Sequence, residues 1–441
     1  MSGHDPRQTA RTVGALALLT AALPANLALT AAALARTALR PPPAPPVPDR
    51  RRTVLVSGGK MTKALQLCRS FHAAGHRVIL VETAAYRLTG HRFSRAVDAF
   101  HVVPRPEDPG YAQALLDVVR AEGVDLYVPV CSPAASRYDA DAAALLAPHC
   151  EVLHLDGDAV RMLDDKYEFA RTAAKLGLDV PDTHLVTSAD DVPERVDGAA
   201  APYVLKNLAY DPVNRLDLTP LPRPTPERTL AFARSKPISP ERPWIVQSLL
   251  AGQEYCTHST VRDGRVLVWA CCASSAFQVN YAMVEQPEIE RWVRDFVGPL
   301  RLTGQVSFDF IAGPDGRVRA IECNPRTHSA ITMFHDHPDL AAAYLGELGD
   351  TAPLRPLPGS RPTYWLYHEL WRVLRRPSTA AERWRVVRAG TDAVFDRDDP
   401  LPFLLVHHLQ VPVLLLRALR RGTRWTRIDF NIGKLVEPGG D

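Results

Sequence analysis

Two neighbouring stretches hold many of the residues able to do chemistry. Residues 305–311 read Gln-Val-Ser-Phe-Asp-Phe-Ile, and residues 317–326 read Arg-Val-Arg-Ala-Ile-Glu-Cys-Asn-Pro-Arg, with Asp315-Gly316 between them. Alternating large apolar and polar residues mark strands, and Asp-Gly is a hairpin turn signal. With Asp315-Gly316 as a two-residue turn, Pro314 pairs Arg317, Phe310 faces Ile321 and Asp309 faces Glu322. A bulged Pro-Asp-Gly turn would carry Asp309 off that face. Like charges directly opposite are destabilising, and a divalent cation is the natural compensation. Glu322, Asn324 and Arg326 share one face of a continuing strand. Two carboxylates and an amide oxygen are hard ligands suited to Mg²⁺, or to Mn²⁺ in its place, with phosphate oxygens completing the coordination. Arg326 beside them suits a phosphate or a substrate anion.

The lysines point the same way. The chain carries seven, against 45 arginines. Where arginine is used so widely, a lysine marks a position for a compact ammonium. Lys206 lies within the predicted strand Tyr203–Lys206, where a lone charge is costly. Lys166 sits near the start of a helix predicted over Asp164–Leu176, slightly against the helix dipole. Both positions suggest phosphate contacts. Lys60 and Lys63 are read as substrate contacts or plain turn residues, and Lys175, Lys236 and Lys434 take no role.

The elements that must position these groups follow from pattern. A chain of 441 residues, 46% hydrophobic and 23% charged, is globular and holds two or three domains. A net charge of +3 gives no support to a nucleic-acid partner. Seven cysteines without CxxC spacing indicate reduced thiols in a cytosolic compartment. Residues 1–40 hold a 24-residue uncharged run, Thr12–Ala35, read as a membrane anchor or membrane-surface helix, a packing helix, or a signal peptide. The arginines that follow it place the rest of the chain on the cytoplasmic side. Residues 41–52 form a Pro/Arg-rich linker. Residues 53–157 alternate short β runs with helical segments, a parallel doubly wound, Rossmann-like sheet. The loop Ser57-Gly58-Gly59-Lys60 matches neither common nucleotide fingerprint and is read as a tight turn, with or without a bound anion. Residues 158–350 are α+β, with a first hairpin through Asp263-Gly264. Residues 351–441 form a helical extension whose apolar stretch Leu401–Leu419 is interrupted by Pro402, Pro412 and His407-His408.

The segments Asp-Lys-Tyr-Glu-Phe-Ala (165–170), Leu-Gly-Leu-Asp-Val-Pro-Asp-Thr (176–183), Tyr-Val-Leu-Lys (203–206), Trp-Ile-Val-Gln-Ser-Leu-Leu-Ala-Gly-Gln-Glu-Tyr (244–255) and the second hairpin resemble the ATP-grasp superfamily in order and spacing. The resemblance implies a Rossmann-like domain followed by a two-subdomain grasp, with ATP held by Lys166 and Lys206. It implies adenine read by backbone groups of Gln247, Ser248, Leu249 and Leu250, with Glu254 helping to hold the nucleotide. The magnesium ligands it implies are Asp309, Glu322 and Asn324. Two departures stand out. Gln247 occupies a position often acidic, and residues 207–218 lack the usual glycine-rich phosphate lid; Asn214 or Arg215 is the substitute suggested there.

Residues 252–261, 274–281 and 322–334, with the tail segments 399–408 and 428–437, resemble more narrowly the mycosporine-glycine synthase branch. That resemblance implies ATP-dependent joining of glycine to 4-deoxygadusol through a phosphorylated enol, with release of ADP and phosphate. Arg326 and His328 are then the catalytic candidates, and His258, Ser275, Gln278 and His328 the substrate candidates. Membrane-surface association through the N-terminal helix and a homo-oligomer are the further expectations. The rival readings are an amino-acid ligase working through an acyl phosphate and a non-catalytic, membrane-tethered ATP-binding protein. A dinucleotide oxidoreductase lacks its glycine fingerprint.

Overall fold

The computed structural model describes residues 5–437 except 131, 133–134, 200, 209–216 and 275–279. Helix α1 (Pro6–Leu39) is capped by Asp5, whose carboxylate accepts from the Arg7 amide, and it continues through Pro24. Its buried residues are Thr12, Leu19, Asn26, Thr30 and Ala33. Four of these recur every seven residues, so one narrow seam faces the protein. The seam is partly polar. Trp425 Nε1 donates to Thr12 Oγ1 at 3.0 Å, and Asn26 Nδ2 donates to the Tyr367 hydroxyl at 3.0 Å.

Strands β1 (Thr53–Val56), β2 (Arg77–Thr83), β3 (Ala99–Val103), β4 (Leu126–Val128) and β5 (Glu151–Val152) form a parallel sheet in the order β3-β2-β1-β4-β5. This is the doubly wound order expected of alternating β and α segments. Helices α2 (Thr62–Ala73), α3 (Tyr111–Glu122) and α4 (Ser136–Leu146) connect the strands. The central strands read as nearly continuous apolar runs because both faces are covered, by Leu65, Cys68 and Phe71 on one side and Leu115, Val119 and Leu146 on the other.

The helix predicted over Asp164–Leu176 is α6 (Lys166–Lys175), and a further helix, α5 (Gly157–Asp164), precedes it and meets it at Asp165. Asp165 ends the first and caps the second, accepting from the Tyr167 and Glu168 amides. A small antiparallel sheet follows, ordered β6 (Thr183–Val186), β8 (Trp244–Ser248), β7 (Tyr203–Asn207). Helices α7 (Val192–Val196) and α8 (Pro226–Arg234) contribute Val192, Val196 and Ala233 to the core that buries Leu205, Trp244 and Val246. A second antiparallel sheet is built from β9 (Gln253–Arg262), β10 (Arg265–Ala273), β12 (Gly304–Ala312) and β13 (Val318–Asn324), ordered β10-β9-β12-β13. The short strand β11 (Asn280–Tyr281) and helix α9 (Pro287–Val297) lie between its two hairpins in sequence. Trp292 and Phe296 of α9 stack at 5.2 Å and pack with Phe169 on Phe308, while Phe310 meets Trp292 edge-on at 5.2 Å. This aromatic core fixes which face of β12 turns away from Asp309.

After α10 (Leu340–Leu345), strands β14 (Thr363–Tyr364) and β15 (Thr391–Asp392) join β11 in a three-stranded sheet, with α11 (Leu366–Arg375) and α12 (Ala380–Ala389) between them in sequence. The apolar stretch predicted as interrupted is continuous: α13 (Leu401–Leu405) runs through a π-helical turn, Val406–Gln410, into α14 (Val411–Arg421). The wider turn sits just before Pro412, where the missing amide and ring bulk would otherwise clash with the preceding turn. A terminal hairpin, β16 (Arg427–Asp429) with β17 (Lys434–Val436), closes the chain. By length and apolar composition Pro6–Leu39 and Leu401–Arg421 could each cross a membrane.

Candidate functional site

The site is assembled on the β12–β13 hairpin. Asp309 is opposite Glu322, as the sequence register requires, but Phe310 faces Ala320 rather than Ile321. Two irregularities cancel. Gly313 and Arg317 bracket a three-residue turn, with Gly316 at φ 74°, which shifts the pairing by one residue. A bulge between Asp309 and Phe310, absorbing Ile321 on the partner strand, shifts it back. Asp309 thus stays on the site face.

Around that pair the structure brings together most of the predicted ligand residues. Lys166 Nζ lies 3.8 Å from Glu322 Oε2. Asn324 Nδ2 donates to Asp309 Oδ2 at 3.4 Å, and Arg326 donates to Asn324 Oδ1. Lys206 is close enough to feel Glu322, Asp309 and Glu254, and its Nζ donates to Gln247 Oε1 at 2.8 Å. Gln247 in turn donates to Thr183 Oγ1 at 3.2 Å. The departure from an acid at Gln247 therefore gives Lys206 a neutral acceptor. Burial lowers the Lys206 pKa; Glu322, Asp309 and Glu254 oppose that shift.

The two carboxylates are driven apart. Desolvation and the neighbouring Glu322 raise the Asp309 pKa well above the ordinary range. Glu322 meets the same desolvation, but Lys166 and Lys206 outweigh it and hold its pKa low. One proton is thus favoured on Asp309 in the metal-free protein. Oxygen donors that compete for a proton are what a divalent cation relieves, so the donor set fits Mg²⁺. Among the described residues no cluster of three or more His, Cys, Asp or Glu forms a metal cage. An ion here needs phosphate and water oxygens to complete its shell.

Comparison with known proteins gives fold and little sequence. No protein-family model matches the chain, and no curated protein does. Solved structures do. N5-carboxyaminoimidazole synthetase from Staphylococcus aureus is similar at 13% identity and a TM-score of 0.53, covering 73% of this chain and 83% of that one. Its ADP complex gives 14% and 0.52, covering 70% and 80%. Biotin carboxylase from Campylobacter jejuni, as a β-γ-ATP complex, gives 14% and 0.53, covering 69% and 72%. The chain has the ATP-grasp fold.

Within that fold the remaining predicted residues fall in different places. Glu254 is on β9, opposite Ile311 of β12, and its carboxylate accepts from the Ser274 hydroxyl at 3.1 Å. At the hinge, the Ser248 amide donates to the Asp182 carbonyl at 2.8 Å and the Leu249 amide to the Pro202 carbonyl at 2.7 Å. Both amides are therefore spent within the protein. His258 is fully buried, with Nδ1 accepting from the His328 amide at 3.3 Å and Nε2 within 3.4 Å of Thr260 Oγ1. It supports the loop that carries Arg326 and His328 from beneath. The half-buried His328 ring accepts from the Ala330 amide at 3.2 Å and meets Tyr281 edge-on at 5.4 Å. Ser275 and Gln278, like Asn214 and Arg215, lie outside the described residues.

The structure adds residues that sequence reasoning left aside. Buried Lys63 donates through Nζ to the Thr327 carbonyl at 2.5 Å, tying α2 of the parallel-sheet unit to the Arg326–His328 loop. Lys63, read from the sequence as a substrate contact or a plain turn residue, lies within helix α2 rather than in a turn, with its ammonium on a backbone carbonyl. Cys256 and Cys272 face each other across β9 and β10 with Sγ atoms 3.5 Å apart, beside His328. A hydrogen bond from Cys272, followed by opposing desolvation and the nearby His328, brings the Cys256 thiol down to about 5. The Asp263-Gly264 turn, taken as regular, would have paired Cys256 with Cys271; a bulge between Val266 and Val268 moves the partner to Cys272.

The loop Ser57–Lys60 is the structural alternative of its two readings. The Gly59 amide donates to the Val81 carbonyl, the Lys60 amide to Glu82 Oε2 at 3.0 Å and the Met61 amide to Gly58. The Gly59, Lys60 and Met61 amides are therefore spent within the protein. Gly58, at φ 70°, has the Val130 carbonyl 2.2 Å from where a Cβ would stand.

Proposed function

We propose that this chain is an ATP-dependent, ADP-forming ligase that joins glycine to 4-deoxygadusol. The observation that carries the ligase reading is the convergence of Lys166, Lys206, Asp309, Glu322, Asn324 and Arg326 on one face of an ATP-grasp fold. Spent hydrogen bonds and opposed charges there make a site for a polyphosphate with its metal. The resemblance of residues 252–261 and 322–334 to the mycosporine-glycine synthase branch supports the choice of substrates. The proposed division is residues 53–157 as the pre-grasp domain, 158–350 as the grasp and 351–441 as the extension, with the protein on the cytoplasmic side.

In this reading Asp309, Glu322 and Asn324 hold Mg²⁺, which when bound spreads the charge of the transferring phosphoryl group. Lys166 and Lys206 hold phosphate oxygens, and their attachment to Glu322 and Gln247 orients them beforehand. An enolic oxygen of the cyclohexenone takes the γ-phosphoryl group of ATP. The glycine amine then adds at that carbon and phosphate leaves. Arg326 faces the glycine carboxylate or the phosphate, and His328, fixed by the Ala330 amide, is placed to contact the ring.

The deciding assay uses the full-length protein with ATP, Mg²⁺, 4-deoxygadusol and glycine. A red-shifted ultraviolet product formed with one ADP per product supports the reading. Turnover of two amino acids, with none of that pair, replaces it with an acyl-phosphate ligase.

A further inference from the structure

The one fully buried residue of helix α11 is a carboxylate. This residue, Glu369, is 1% exposed, and the carboxylate accepts from Arg372 at 2.9 Å and from Arg383 of α12 at 3.4 Å. Leu366 and Tyr367, at the start of the helix, pack against the core, but three large apolar residues point outward: Leu370 and Trp371 are 47% exposed and Leu374 61%. On α12, which buries none of its residues, Trp384 is 66% exposed. The other five tryptophans are buried. Arg375, Arg376, Arg385 and Arg388 are exposed on the same two helices, and the Arg375 guanidinium stands 5.9 Å from the Trp371 ring.

Single exposed apolar side chains are ordinary; four large ones on adjoining helices, over a buried, ion-paired carboxylate, are not. Tryptophan and leucine tips among arginines are the composition of a helix lying at the surface of an anionic bilayer. A second copy of the chain suits the patch poorly, because a two-fold contact would set these arginines against themselves. Helix α11 is also linked to a second helix with outward apolar residues. Tyr367, at the start of α11, is bonded to Asn26 in the middle of α1, whose Leu18, Leu27, Leu29 and Leu34 are each more than 40% exposed.

We propose that the α11–α12 pair is a membrane contact in its own right, placing Leu370, Trp371, Leu374 and Trp384 among the acyl chains of an anionic leaflet. The proposal is independent of the ligase reading and adds a second contact to α1.

The test uses the full-length chain and vesicles of brominated phosphatidylcholine, with and without phosphatidylglycerol. Since Trp371 and Trp384 are the exposed indoles, their emission is quenched on the anionic vesicles. The Trp371→Phe/Trp384→Phe variant loses the quenching while still co-sedimenting. Arg375→Glu/Arg376→Glu weakens binding about tenfold or more, as expected when each basic residue near an anionic surface contributes roughly fivefold. Unchanged thermal melts show that these variants are folded. Co-sedimentation without quenching would assign the contact to α1 alone and overturn the proposal. So would absence of binding to anionic vesicles, or a dimer in sedimentation velocity that Trp371→Arg dissociates.

Discussion

Glu322→Gln and Asp309→Asn each remove one carboxylate from the same hairpin, yet they are expected to move the stability of the ligand-free protein in opposite directions. Glu322 Oε2 is 3.8 Å from Lys166 Nζ. Two unit charges at that separation attract by roughly 4 kcal/mol at an effective dielectric constant near 20. The Glu322 side chain is about a third exposed, so solvent screening leaves on the order of 1 kcal/mol. Its loss also strips the buried Lys206 of its main opposing charge. Glu322→Gln should therefore cost about 1–2 kcal/mol. Asp309 is instead held toward its neutral form by desolvation and by Glu322. Asparagine copies that form without the cost of holding a proton at neutral pH, so Asp309→Asn should be neutral or stabilising by up to about 1 kcal/mol. Urea melts at neutral pH without nucleotide measure both. Repeating them with MgATP measures the function: both variants should lose the ligand-induced gain that the parent protein shows. Equal shifts of the same sign, or a full MgATP gain in either variant, would refute the assignment of the two carboxylates.

Three further outcomes follow from the same geometry. Lys63→Met removes the tie between α2 and the Thr327 carbonyl and should lower kcat/KM about tenfold or more through the Arg326–His328 loop, leaving the dissociation constant for ATP nearly unchanged by calorimetry. Burial pushes His91 and His368 down to about 4 and His407 to about 3, so the unfolded chain binds more protons below its ordinary histidine pKa of about 6.5. Stability is then complete above that pH and is lost as pH falls toward 4, by roughly 4 kcal/mol per pH unit for the three groups together; circular dichroism should show acid unfolding near pH 5, and a melt unaffected at that pH would contradict it. Asn26→Leu breaks the buried link from α1 to Tyr367 and should cost about 1–2 kcal/mol, read as a lower thermal midpoint of the full-length protein.

Much of the candidate site could be read along the chain because its logic is local. Alternation and an Asp-Gly turn put Asp309, Glu322 and Asn324 on one hairpin face. A scarcity of lysine singled out Lys166 and Lys206, and both lie beside those carboxylates. The errors were also local in kind. A bulge leaves almost no mark in a sequence, since one extra residue preserves the apolar pattern on either side of it. That is why a regular turn pairs Phe310 with Ile321, where the folded hairpin has Ala320. The helix predicted from Asp164 starts at Lys166, because Asp165 caps it and also ends the helix before it.

By itself the sequence determined the parallel sheet, the two hairpins and the chemical kinds of group available to a phosphate site, because strand periodicity and turn chemistry act between neighbours. What it left undecided is set by contacts between residues far apart. Only the folded chain turns Gln247 toward Lys206, buries His258 under its loop, brings Lys63 from the first sheet to Thr327, and gives two adjacent carboxylates opposite protonation preferences. Those properties depend on burial and on charges brought together from separate segments, quantities that exist only once the chain has folded.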